Sequence, residues 1–186
     1  LAAWTLMGHE FVEMKNTGAA IEAYRQAVDI NARDYRAWYG LGQTYELLNM
    51  FMYALFYYRK AVTLRPTDAR MWCAMGSCFR KLDRVDDAIR SFERANSNND
   101  QEGLATLQLA ALHRERGNEH RAAECYQQHL NAQRRRPEQG DTKETAEALA
   151  FLAGYHVNLG QLEVASKLCS RLLEIPGEVR RTALLP

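Results

Sequence analysis

Apolar residues recur in this chain at helical intervals, broken every dozen or so positions by short polar stretches. Trp4, Met7 and Phe11 fall at i, i+3 and i+7, so they share one face of a helix. After the polar break around Lys15-Asn16, Ala20, Tyr24 and Ala27 repeat that spacing. The pattern predicts short helices joined pairwise by tight turns.

Laid on itself, the chain matches at an interval of 34 residues. Trp4, Trp38 and Trp72 keep that interval, as do Gly8, Gly42 and Gly76, and Phe11, Tyr45 and Phe79. Ala20, Ala54 and Ala88 follow in the second half of each copy, then Tyr24, Tyr58 and Phe92, then Ala27, Ala61 and Ala95. The order Trp, Leu/Met-Gly, aromatic, Ala, aromatic, Ala, closed by Pro66 in the second copy, resembles the tetratricopeptide signature. Gly and Ala side chains do not extend past Cβ, so two helices can approach closely there. The aromatic rings then fill the space toward the next copy. A single copy cannot bury both its faces, so neighbours must stack.

Two weaker copies continue the series. One keeps Leu109, Ala110, Gly117, Ala122 and Tyr126, with Thr106 in place of the Trp. The other keeps Leu152, Ala153, Gly160, Ala165 and Leu172. The expected fold class is therefore all-α, a right-handed α-solenoid of about five helix-turn-helix repeats at 1–34, 35–68, 69–102, 103–136 and 146–179. A polar insertion broken by Pro137 and Gly140 is expected to form a solvated loop at 134–145. The tail 180–186 reads as the start of a further helix, with a capping helix beyond it. The chain opens Leu1-Ala2-Ala3-Trp4 with no initiator Met and enters the helical pattern at once. It is thus expected to be a piece of a longer protein.

Composition changes this picture little. Hydrophobic residues at 47% and charged residues at 25% suit a well-packed protein, and a net charge of +1 creates no field to draw in nucleic acid or an anionic membrane. No apolar run is long enough to span a bilayer. The triplet at 134–136 and the scattered arginines are interleaved with acids, without an aromatic and basic stripe, so nucleic acid is not an expected partner. Cys73, Cys78, Cys125 and Cys169 show no C-x-x-C spacing and read as reduced thiols of an intracellular protein.

No motif supports catalysis, a cofactor or a metal. His113 and His156 occupy the slot of Phe11, and His129 that of Ala27, so all three read as core substitutions. Cys125 and His129 are four apart on one helix, but no second pair stands at ligand spacing. There is no nucleophile elbow, Walker loop or dinucleotide fingerprint, and the Gly40-Leu41-Gly42 run lies inside a helix.

Two surfaces carry the functional expectation. The first helix of each repeat lines the concave groove of such stacks. Positions beside its apolar stripe supply His9, Glu13, Arg36, Tyr39, Gln43, Glu46, Arg70, Ser77 and Arg80, with Thr5, Cys73 and Arg114 in the same register. Both charges and an aromatic there suit an extended peptide. The second surface is helix 51–62, where Met52, Tyr53, Phe56 and Tyr57 take positions filled by Gly18, Ala19, Glu22 and Ala23 in repeat one and by Asp86, Asp87, Arg90 and Ser91 in repeat three. A helix apolar nearly all round is expected to be covered by another subunit or another part of the chain.

The segments WTLMGHE, EMKNT and RDYRAWYGLGQTYE, within residues 3–48, are more particular than the generic signature. They resemble the subunit-8 family of the anaphase-promoting complex, closely to about residue 95 and more generally afterwards. The resemblance implies a non-catalytic scaffold in a multi-subunit ubiquitin ligase of the nucleus and cytoplasm. It also implies stacking on sibling tetratricopeptide subunits, a groove offered to an activator's N-terminal segment, and homodimerisation through N-terminal repeats absent here. The other reading is a free-standing adaptor or co-chaperone. Against it, Thr5, His9, Cys73 and Ser77 stand where carboxylate-clamp repeats carry Lys, Asn and Arg.

Overall fold

A computed structural model describes residues 3–101, 103–134 and 142–184. The chain divides into two compact units, Leu1–Asp100 and Gln101–Pro186.

The first unit contains α1 (Ala3–Glu13), α2 (Thr17–Ile30), α3 (Tyr35–Leu47), α4 (Phe51–Leu64), α5 (Ala69–Lys81) and α6 (Val85–Ser97). Side-chain oxygens just ahead of several helices start them. Asn16 accepts from the Ala19 N–H, Asp34 from the Arg36 N–H and Asp68 from the Arg70 N–H, satisfying otherwise orphaned donors. The helices pair within each repeat, α1 with α2, α3 with α4 and α5 with α6, and α2 and α4 pack onto α3 and α5 of the following repeat.

The core of this unit is a row of rings seated on glycines. A Cβ at Gly8 or at Gly40 would lie closer than 3.0 Å to carbons of the Tyr24 ring. The same holds for Gly42 against Tyr58 and Gly76 against Phe92. All three rings are fully buried, and so are the small partners Ala20, Ala54, Ala88, Ala61 and Ala95. The glycine therefore makes room for the aromatic ring of its own repeat's second helix, which also packs the joint to the next repeat.

The tryptophans act differently from the simple core stripe expected for them. Trp4 is 37% exposed and Met7 43%, while Thr5 and Gly8 are the buried residues of α1. Trp38 and Trp72 are half-buried and donate their indole N–H to the Ala32 and Pro66 carbonyls, each at 2.8 Å. They tie the loop between repeats to the helix that follows.

The second unit contains α7 (Leu104–Glu115), α8 (Glu119–Arg134), α9 (Lys143–Asn158), α10 (Leu162–Glu174) and α11 (Gly177–Leu184). Its core gathers Ala110, Ala122, Tyr126, Leu130, Leu149, Leu152 and Ile175, and α11 packs on α9. At the insertion expected at 134–145, α8 reaches Arg134, while Thr142 caps α9 and Lys143 opens it. Positions 135–141 lie outside the described residues. The fifth copy accordingly begins earlier than 146, because the Thr142 hydroxyl supplies a cap to the Thr145 N–H.

One turn recurs in both units. The N–H of Asn16, Met50, Arg84, Asn118 and Gln161 bonds back to the carbonyl five residues earlier, at Phe11, Tyr45, Phe79, His113 and His156. This Schellman closure needs a left-handed residue, and φ is positive at Lys15, Asn49, Asp83, Gly117 and Gly160.

Candidate functional site

The groove residues come from α1, α3 and α5 of the first unit. His9, Arg36, Tyr39, Gln43 and Arg70 converge on one open pocket of about 380 Å³, completed by Tyr35, Asp68 and Met71. Tyr39 forms its aromatic wall, tilted against Tyr58 with ring centroids 5.4 Å apart. Burial pushes the Tyr39 phenol above its ordinary pKa, so it stays a neutral donor at physiological pH.

The charges in this pocket are partly committed already. Arg70 holds Asp68 with two bonds, Nε to Oδ1 at 3.2 Å and Nη2 to Oδ2 at 2.9 Å. That guanidinium keeps the Asp68 carboxyl below its usual range. The Tyr24 hydroxyl and His9 Nδ1 lie 2.8 Å apart, which fixes the imidazole at the rim. Burial lifts the Tyr24 phenol to about 12. The pocket thus offers an aromatic floor, an amide at Gln43 and the exposed Arg36 cation, a set able to hold an extended backbone and one acidic group.

Other candidates in this register do different work. Thr5 is buried and donates to Asp34 Oδ2 at 2.7 Å, tying α1 to the cap of α3, so it is no groove residue. Cys73 is buried as well. Glu46 accepts from the Tyr58 hydroxyl at 2.6 Å, which locks the central ring of the unit. Glu13 is exposed, while Ser77 and Arg80 are half-buried, and none of the three lines the pocket. Arg114, in the second unit, pairs with Glu147 at 3.0 Å.

On α4, Met52, Tyr53 and Phe56 are 61%, 55% and 54% exposed and, with Tyr57, border a shallow apolar hollow of about 370 Å³. Their sequence partners are less uniformly exposed than expected, since Ala23 and Ser91 are buried. Tyr57 shares that inward lean. It is half-buried and stacks on Tyr45 at 5.2 Å and on Trp38 at 6.1 Å. Tyr53 also stacks on Tyr45, at 5.5 Å, and Arg25 Nη2 donates to the Tyr45 hydroxyl at 3.2 Å. This ring ladder stiffens the patch from below. Sequence periodicity cannot show it, because its rings come from two helices, α3 and α4, with Arg25 of α2 beneath them.

The histidines do not gather into a chemical site. His156 Nδ1 lies 2.6 Å from Gln161 Oε1 at the last turn. His129 is half-buried beside the fully buried Leu130, which takes the core place that the repeat phase gave to His129. Among the described residues no three His, Cys, Asp or Glu side chains could share a metal ion, and no helix is long and apolar enough to cross a membrane.

Models described as tetratricopeptide repeat match residues 35–68 and 105–140, and further models of that repeat match 8–49 and 69–101. Anaphase-promoting complex subunit 8 of Dictyostelium discoideum is 49% identical over 183 residues, covering 98% of this chain and 30% of that protein. The Arabidopsis thaliana protein of the same name is 47% identical over 185 residues, covering 98% and 32%. A Caenorhabditis elegans cell division cycle protein 27 homolog shares 48% identity over 40 residues, which is 22% of this chain and 5% of that protein. The chain therefore spans about a third of the length of its two long matches. Among solved structures, the MamA protein superposes with a TM-score of 0.74 at 20% identity, over 98% of this chain and 94% of that one, a likeness of fold alone. This chain belongs to the tetratricopeptide repeat family, and along nearly all its length it is similar to subunit 8 of the anaphase-promoting complex.

Proposed function

We propose that this chain is the protein-holding part of a non-catalytic scaffold subunit of the anaphase-promoting complex, acting in mitotic cell-cycle control in the nucleus and cytoplasm. The observation that carries this reading is the identity of nearly half the residues, over 98% of the chain, with subunit 8 from two distant organisms. Generic repeats share only their few packing residues.

In this reading the pocket between His9 and Met71 takes the N-terminal segment of an activator protein. Tyr39 and Gln43 contact its backbone, and Arg36 meets an acidic group. The face of Met52, Tyr53 and Phe56 docks a sibling tetratricopeptide subunit, as its exposed apolar area and its stiff support from Tyr45 and Tyr57 favour. Homodimerisation uses repeats of the longer protein that lie outside this chain.

The test is affinity capture of the tagged full-length protein from dividing cells, with partners identified by mass spectrometry. Other anaphase-promoting subunits are expected. Chaperones alone would overturn the reading in favour of a free-standing adaptor. A Met52→Lys/Phe56→Glu variant, which leaves the Tyr57 stack in place, is expected to keep full helicity and lose its neighbour. Normal incorporation of that variant would remove the patch from the interface.

A further inference from the structure

A second cleft of about 370 Å³ lies beside the peptide groove, where the loop 31–34 and the end of α4 meet the start of α3. Asn31, Arg33, Asp34, Tyr35, Arg36, Leu64 and Arg65 line it. Three guanidinium groups face one carboxylate there, and that carboxylate is already occupied. Asp34 Oδ2 accepts from the Thr5 hydroxyl, while Oδ1 accepts from the Arg36 N–H and lies 3.6 Å from Arg36 Nε. Arg33 and Arg65 form no ion pair with any described residue.

The cations are also held in place. The Arg65 guanidinium lies over the Tyr35 ring at 4.6 Å from its centroid, and that of Arg36 at 5.9 Å. Stacking on one ring limits the freedom of two long side chains, so less entropy is lost when they grip a ligand. Asn31 Oδ1 accepts from the Arg33 N–H at 3.1 Å, which leaves the Asn31 amide NH₂ as a further donor at the cleft. Donors surround a concave space in which three guanidiniums meet one lining carboxylate, Asp34, while Asp68, close enough to feel Arg65, is already held by Arg70.

We propose that this cleft is a binding site for a phosphorylated serine or threonine side chain of a partner protein. A phosphoryl group matches it better than a carboxylate, because three guanidiniums suit a near-dianion with three acceptor oxygens. A nucleic-acid backbone fits poorly, because the cations form one pocket and do not extend into a stripe. The site adjoins the groove and shares Tyr35 and Arg36 with it, whereas Arg33 and Arg65 belong to this cleft and not to the groove.

The experiment follows the arginine Nε–H resonances of the 186-residue chain by NMR during titration with three probes. These are N-acetyl-phosphoserine N-methylamide, its unphosphorylated counterpart and inorganic phosphate. Saturable shifts of Arg33, Arg36 and Arg65 are expected with the phosphoserine probe and none with the serine probe. Arg33→Gln and Arg65→Gln are each expected to weaken binding about tenfold, as loss of one charged hydrogen bond implies. Tyr39→Ala, in the groove, is expected to leave it unchanged, so failure of the groove reading would not be mistaken for failure here. Three results would each overturn the proposal: linear shifts spread over all exposed arginines, binding that survives Arg33→Gln/Arg65→Gln, or binding of inorganic phosphate without the phosphoserine probe.

Discussion

The two units solve the same packing problem with opposite economies. In Leu1–Asp100 the helices are strict and the turns are lax. Gly8, Gly42 and Gly76 each receive a buried ring, while the left-handed turn residues are Lys15, Asn49 and Asp83, none of them glycine. In Gln101–Pro186 the turns carry Gly117 and Gly160, and the ring seats have become Ala110 and Ala153. Tyr126 still fills its place, but Cys169 stands exposed where the next ring would be, and Thr106 and Leu149 replace the tying tryptophans. The repeat is thus conserved as a geometry, the Schellman turn present in every copy, and not as a fixed residue list. Where the ring and glycine lock is kept, strained turn residues are tolerated.

The sharpest way to break this comparison is to remove a lock. Phe92→Ala is expected to cost about 4 kcal/mol, read as a fall in the urea midpoint of the first unit by hydrogen exchange. Filling the seat instead, Gly42→Ala should cost about 2 kcal/mol by pushing the Tyr58 ring off its place. Ala110→Gly should cost about 1 to 2 kcal/mol, the backbone penalty plus one buried methyl, and should leave the Tyr126 ring in place. A Tyr126 ring displaced by Ala110→Gly as Tyr58 is by Gly42→Ala, read by NMR, would mean that the units do not differ in this way. Trp38→Phe, which loses the bond to the Ala32 carbonyl, is expected to cost about 1 kcal/mol. Lys15→Gly should raise stability by about 0.5 to 1 kcal/mol by relieving a left-handed lysine, and a loss on calorimetry would contradict the lax-turn reading.

The smallest expected effect is a pH response confined to the second unit. Burial lowers the His129 pKa from its ordinary 6.5, partly offset by Glu144, and its Nε2 is buried without a hydrogen-bond partner. The unfolded chain therefore binds the proton first. Stability from this group is complete above pH 6.5 and declines as pH falls toward the lower folded value. His129→Gln should flatten the dependence of the urea midpoint between pH 7.5 and 5.5, and an unchanged slope would assign it to another group.

Much of this was legible along the chain. The interval of 34 residues placed the helix pairs and the buried Ala20, Tyr24 and Ala27 face, because each residue type recurs where the same contact recurs. Periodicity alone could not separate Thr5 and Cys73, which lie buried, from His9 and Arg36, which face the pocket. Thr5, Tyr39 and Cys73 share one repeat register, yet only Tyr39 lines the pocket, so side-chain size and local neighbours decide the matter and not register.

What the sequence by itself determined is the repeat, its glycine positions, and the unusually apolar make-up of α4, since these depend on residue size and spacing within one helix pair. Only the tertiary structure decided that Tyr57 belongs to a stack with Tyr45 and Trp38, that Glu46 is spent on Tyr58, and that Arg33 and Arg65 share a cleft. Each of those facts depends on side chains from separate helices or loops meeting in space. Local pattern carries the fold, whereas the chemistry of a surface is set by which neighbours already occupy its polar groups.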